Sequence, residues 1–166
     1  MIWKPLSGFR EAALAQAKLQ RILESWEGTR YVPGQQMKGV GVDCVRFVCA
    51  VLDELYGFTR SKIEDLPGDI ALHSRGTAVA AMRLIMQIYE PNESVDDGNL
   101  EPGDILVVAP PAGGPGHAMI VGGRENELWH STNERVQWTG IGFLESAYHG
   151  YRLYGVYRAC DRERWA

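Results

Sequence analysis

The stretch Gly41-Val42-Asp43-Cys44-Val45-Arg46-Phe47-Val48 decides how this chain is read. Asp43 is a good N-cap, because a short carboxylate can accept hydrogen bonds from the unpaired amides of a first helical turn. Val45, Val48, Leu52 and Leu55 then recur at helical spacing and Gly57 supplies a stop, which predicts a helix from about Cys44 to Tyr56. The Cys44 thiol falls in the first turn, where unpaired amides and the helix dipole favour its reactive thiolate form. With a histidine cation nearby, such a thiol can drop from about 8.5 to roughly 3.5–7.5. The same amides could hold a developing oxyanion. The competing reading makes Cys44 a small buried hydrophobe, as free cysteines often are.

Outward from this helix the pattern is helical upstream and strand-like downstream. Ser7 can cap a helix from about residue 8 to 26, whose buried stripe is Ala12, Leu19, Ile22, Leu23 and Trp26. Glu27-Gly28-Thr29 ends it, Tyr31-Val32-Pro33-Gly34 reads as an extended segment entering a turn, and the glycine-rich stretch to Gly41 reads as a loop. A third helix is predicted over 75–88, with Val79, Met82, Ile85 and Met86 inward. After residue 100 the pattern changes to period two or short apolar runs, predicting strands at 104–109, 117–122, 126–131, 135–138 and 153–159. Helices followed by an antiparallel sheet make an α+β domain. The 166 residues fit a single domain, 1–166, with no repeat and no linker longer than the polar segment 91–100.

Composition limits the partners. A net charge of −4 gives no general electrostatic reason to expect nucleic acid or an anionic membrane surface. Cys44, Cys49 and Cys160 cannot all pair, and the first two, five positions apart on a helix, point in different directions, so a reducing compartment during synthesis is expected. No run approaches the roughly 20 apolar residues of a membrane span. The N-terminus lacks the apolar region of a signal peptide, so the expectation is cytoplasmic synthesis and delivery by another route.

The histidines narrow the chemistry. His117 opens the segment HAMIVGG and His130 lies within ELWHST, two runs that read as a hairpin through Gly122-Gly123-Arg124-Glu125. With an even-numbered loop both histidines share one face of the sheet; with an odd-numbered loop they do not. On one face they could complete a relay in which His117 accepts the Cys44 proton and His130 orients His117. The structural alternative is a pair of ordinary strand histidines. His73 and His149 lie in loop-like surroundings and Cys49 in a helix interior, where structural roles are expected. Cys44, His117 and His130 could instead bind zinc, but the chain has no Cys-x-x-Cys and no His-Glu-x-x-His. None of Trp3, Trp26, Trp129, Trp138 and Trp165 stands out as a sugar-stacking residue.

These residues resemble the NlpC/P60 family of cell-wall cysteine peptidases, in order as well as content. Tyr31-Val32-Pro33-Gly34 is similar to the family's tyrosine-containing turn, and Gly41 to Val48 resembles its Asp-Cys-Ser-Gly-Phe helix start. Leu100-Glu101-Pro102-Gly103-Asp104-Ile105-Leu106 resembles its Pro-Gly-Asp element, Gly116 to Val121 its histidine strand, and His130 falls where its third polar residue belongs. The long insert before the Pro-Gly-Asp element resembles phage-type members.

The resemblance implies a papain-like fold, no cofactor and no metal, and hydrolysis of peptidoglycan stem peptides. Cys44 and His117 would be catalytic with His130 as the third member, and Tyr31, Asp43 and Arg46 would line the substrate. The family's Ser-Gly is here Val45-Arg46. Pointing into the cleft, Arg46 could hold a substrate carboxylate bidentately; otherwise it is a solvated helix residue, the orientation expected here. The altered pair also motivates two other readings: a catalytically inactive phage tail or cell-wall-binding component, and a papain-like acyl or peptidyl transferase.

Overall fold

The helical periodicity upstream of Cys44 and the alternation downstream of residue 100 give the two halves of the fold. The computed structural model describes residues 2–3, 10–56, 90–91, 99–109, 116–142 and 152–158. In chain order the elements are β1 (Ile2–Trp3), α1 (Arg10–Trp26), β2 (Gln36–Met37), β3 (Gly41–Val42), α2 (Cys44–Tyr56), β4 (Glu90–Pro91), β5 (Asn99–Leu100), β6 (Ile105–Ala109), β7 (His117–Val121), β8 (Glu127–Ser131), β9 (Val136–Gly140) and β10 (Arg152–Arg158). The arrangement is α+β. Ser7, Gly57, His73, His149, Cys160, Trp165 and the helix predicted over 75–88 lie outside the described residues. Among the described residues, no helix is long and apolar enough to cross a membrane.

Helix α1 buries Ala15, Leu19, Leu23 and Trp26 along one stripe and leaves Leu14 in solvent. It stops at Gly28, whose φ of 77° is the left-handed conformation that suits glycine. The Gly28 amide donates to Val136 of β9 (2.9 Å). Helix α2 begins and ends where its sequence pattern predicts, but it is buried on more than one stripe: Phe47, Cys49, Ala50 and Val51 are as enclosed as Val45, Val48, Leu52 and Leu55. The reason is its position, since α2 packs on α1 and also on β7 and β8. The expected loop before Gly41 instead contains a short antiparallel hairpin, with Gln36 opposite Val42 and Met37 opposite Gly41.

Among the described residues the main sheet has the order β4-β10-β6-β7-β8-β9, antiparallel throughout. Alternation gives it two apolar faces. Ile105, Val107, Ala118, Ile120 and Trp129 join the helices in one core, while Leu106, Met119, Val121, Leu128 and Val156 form another with Leu100 and Ile141. Helix α1 is fastened to the β7–β8 turn by side chains. Gln20 accepts from the Gly123 amide (2.9 Å) and donates to Glu127 (3.1 Å), and the same Glu127 oxygen accepts from the Trp129 indole (2.9 Å). A Cβ on Gly123 would stand 2.6 Å from the Gln16 carbonyl oxygen, so only glycine admits this approach. The start of β9 is covered by residues 28–31: Val136 donates to Thr29 (2.8 Å) and Tyr31 donates to Glu134 (2.8 Å).

The Pro-Gly-Asp element is held by charge. Asp104, buried at the entrance to β6, accepts from the Arg158 guanidinium of β10 at 2.7 and 2.5 Å, and Arg158 also donates to Glu101 (3.0 Å). Burial raises the Asp104 carboxyl pKa, and the guanidinium opposes that shift. Removing the cation leaves a buried carboxylate without its main counter-charge, so Arg158→Ala is expected to lose about 3 kcal/mol or more in urea unfolding at pH 7. A loss within 0.5 kcal/mol, the size of an ordinary surface change, would show that the pair does not secure β6 to β10.

Candidate active site

The site is built around the start of α2. One Asp43 oxygen accepts from the Arg46 amide (2.8 Å), which is the expected N-cap bond. The other accepts from the Arg46 guanidinium (2.8 Å) and from the Gly34 amide (3.0 Å). Both side chains are enclosed, at 6% and 0% exposure for Arg46 and Asp43. The expectation of a solvated Arg46 is therefore overturned. Three positions past the cap, its side chain folds back along the same helix face and finds a buried carboxylate.

Cys44 is fully buried beside this pair. Burial pushes its thiol up to about 12, with the Asp43 charge adding to the rise; the amides of Ala118, Val45 and Cys44 itself pull the other way. The expected low-pKa thiol is corrected here, because desolvation outweighs the helix start. Cys49 is likewise buried, and neither thiol is in a disulfide. Tyr31 is brought alongside by a parallel bridge to Val42 and by the Val42 amide, which donates to Arg30 (2.9 Å). Its hydroxyl is buried with no hydrogen-bond partner among the described residues. Burial, then the proximity of Cys44 and of Asp43, raise its pKa and keep it a neutral donor.

The sheet supplies the histidines. Val121 lies opposite Leu128, leaving residues 122–127 between them, an even number, so His117 and His130 share a face. Nε2 of His117 and Nδ1 of His130 are 2.9 Å apart, with the rings edge to face at 5.2 Å and 70°. Burial lowers His117 to about 3, helped by His130, and lowers His130 to about 4. At pH 7 both rings are neutral, so one nitrogen of the contact carries the proton and the other accepts it. Ala118, the residue after His117, gives its amide to the Cys44 sulfur.

The structure thus joins His117 to His130, Tyr31 to Cys44, and Asp43 to Arg46. Three contributors are invisible in sequence: the Gly34 amide, the Ala118 amide, and the Ser131 hydroxyl, which donates to the Val42 carbonyl (3.0 Å) and ties β8 to the chain entering the cap. Backbone donors carry no residue signature, and nothing distinguishes Ser131 from any strand serine. Among the described residues, no group of three or more His, Cys, Asp or Glu side chains could hold a metal ion.

No protein-family model matches the chain. No curated protein matches it either. Among solved structures it is similar to the NlpC/P60 domain of the peptidoglycan hydrolase SagA, with a TM-score of 0.54 and 18% identity over 86% of this chain and 97% of that one. The fold is that of an NlpC/P60 domain. A lipoprotein-like NLP/P60 family protein of Staphylococcus aureus has a TM-score of 0.60 at 16% identity over 96% of this chain, and NlpC2 of Trichomonas vaginalis has 0.57 at 16% over 96%. This chain spans 45% and 50% of those two proteins, so it matches the NlpC/P60 portion of longer chains. At such identities the likeness establishes the NlpC/P60 fold.

The depressed histidines have a consequence for stability. Between the unfolded value of 6.5 and the folded values of about 3 and 4, the unfolded chain binds more protons than the folded one. Stability contributed by the neutral rings is complete above about pH 6.5 and is lost as the pH falls toward 4. Urea unfolding at pH 7, 5.5 and 4.5 should show this decline, and His117→Asn/His130→Asn should flatten it. An equally steep decline in the double variant would assign the acid sensitivity to other groups.

Proposed function

We propose that this protein is a cysteine peptidase or amidase that hydrolyses a peptide bond in the stem peptides of cell-wall peptidoglycan. The observation that carries the reading is the convergence on Cys44: its sulfur lies among helix-start amides and the Ala118 amide, one residue from a histidine already bonded to a second. The SagA domain, named as part of a peptidoglycan hydrolase, supports the choice of substrate.

The roles follow from the geometry. With Nε2 of His117 turned to His130, Nδ1 is the nitrogen that takes the Cys44 proton. Sulfur attacks the carbonyl carbon, the oxyanion is held by helix-start amides and the Tyr31 hydroxyl, and His117 returns the proton to the leaving amine. Water then opens the thioester with His117 as base. His130 fixes the tautomer of His117. Because Cys44 is buried and its thiol is pushed up to about 12, ionisation and attack are coupled to substrate entering the cleft. Asp43 and Arg46 act on this site from behind, through each other.

The same burial favours one second reading, a module that binds cell wall without cutting it. Digestion of purified sacculi and of soluble muropeptides, read by mass spectrometry, separates the two. Hydrolysis by the wild type and its loss by about 10³-fold or more in Cys44→Ala and His117→Ala is expected, with circular dichroism unchanged. Sedimentation with sacculi but no new amine ends would establish the binding module instead.

A further inference from the structure

Arg46 stands two residues past Cys44, and its guanidinium is spent on Asp43 at 2.8 Å inside the protein. The Asp43 oxygen that takes this bond also takes the Gly34 amide at 3.0 Å. Gly34 closes the turn that begins at Tyr31, and the Tyr31 hydroxyl is the buried donor beside Cys44. One carboxylate therefore connects the helix start, the turn and the arginine.

We infer that Arg46 is a positioning residue: by keeping Asp43 ionised and compensated, it holds the Tyr31–Gly34 turn on the nucleophile helix. The inference deepens the hydrolase reading and rests on it. Its physical basis is that a buried carboxylate without a counter-charge takes up a proton or pulls water inward. Either change weakens the acceptor that the Gly34 amide uses. An uncompensated Asp43 would also place a full negative charge beside the sulfur that must become an anion. Arginine suits the task because its guanidinium stays protonated at every relevant pH. The other groups around Cys44 are Tyr31 from the turn and, from the sheet, the Ala118 amide with His117 and His130 behind it. None of these carries a permanent positive charge.

The test uses the full chain as wild type, Arg46→Met, Arg46→Lys and Arg46→Met/Asp43→Asn. Cys44 alkylation by iodoacetamide is followed from pH 5 to 10 by mass spectrometry, alongside kcat and KM on a muropeptide digest. Arg46→Met should lower kcat about tenfold with KM within about twofold, as expected for lost positioning. It should also move the alkylation midpoint up by about one pH unit. Arg46→Lys keeps the charge and should restore most of both. Arg46→Met/Asp43→Asn removes the uncompensated carboxylate and should bring the midpoint back to the wild-type value.

A wild-type kcat and midpoint in Arg46→Met overturns the inference, as does a midpoint that stays shifted when Asp43 is also neutral. Should Arg46→Met fail to fold, the lysine and double variants carry the test, and a full-unit upward shift in either overturns it. A wild-type Cys44 that does not react, or reacts independently of His117, overturns the hydrolase reading itself. A His117-dependent wild type with unchanged Arg46 variants overturns only this inference.

Discussion

A single buried carboxylate, that of Asp43, fixes where everything else at the centre of this molecule must go. Its first duty, capping α2, is worth only about 1 kcal/mol in an ordinary helix. Its second, holding a buried guanidinium, is the larger constraint, because stripping one partner from such a pair costs about 3–5 kcal/mol. Its third, accepting from Gly34, brings in the chain segment that carries Tyr31. The helix start, the turn and the arginine therefore cannot be repositioned one at a time. The hydrophobic core explains why α2 is central, and Asp43 explains why its N-terminus faces a particular turn and the first residues of β7.

Two opposing effects meet at Cys44. Helix-start and Ala118 amides favour the thiolate; full burial disfavours it and prevails, leaving the thiol at about 12. The histidines obey the same logic with the opposite sign, since burial makes the cation, not the neutral ring, expensive. The site thus stores its protons in neutral form: a thiol, a phenol and two imidazoles. An ion pair between sulfur and imidazole belongs to a state in which the cleft has admitted something polar. Reactivity in such an arrangement is gated by access as much as by the identity of the side chains.

Most of the frame was legible in sequence because it depends on local chemistry. Asp43 before an apolar helical stripe defined the start of α2, and alternation after residue 100 located β6, β7, β8, β9 and β10 within a residue or two. The parity of the β7–β8 connection correctly framed whether His117 and His130 could meet. The parts that were not legible depend on contacts distant in sequence. Arg46 was expected in solvent because nothing local says that Asp43 is sealed, and the thiol was expected to be acidic because burial is a property of the assembled core. The β2–β3 hairpin was missed since two-residue strands have no periodicity to detect, and the Gln20–Glu127–Trp129 network is written only in the packing of α1 against a turn a hundred residues away.

The covering of β9 by residues 28–31 has a consequence for how this protein behaves in solution. Strand β9 ends the main sheet, and a bare edge is a template for another chain to pair with. The segment that occupies the beginning of that edge is continuous with the turn that presents Tyr31 to Cys44. Protection from self-association and construction of the site are therefore one structural task. A change that loosened the turn to give freer entry to the thiol would also unzip the sheet margin, and would be selected against as a solubility defect before any gain in turnover was felt.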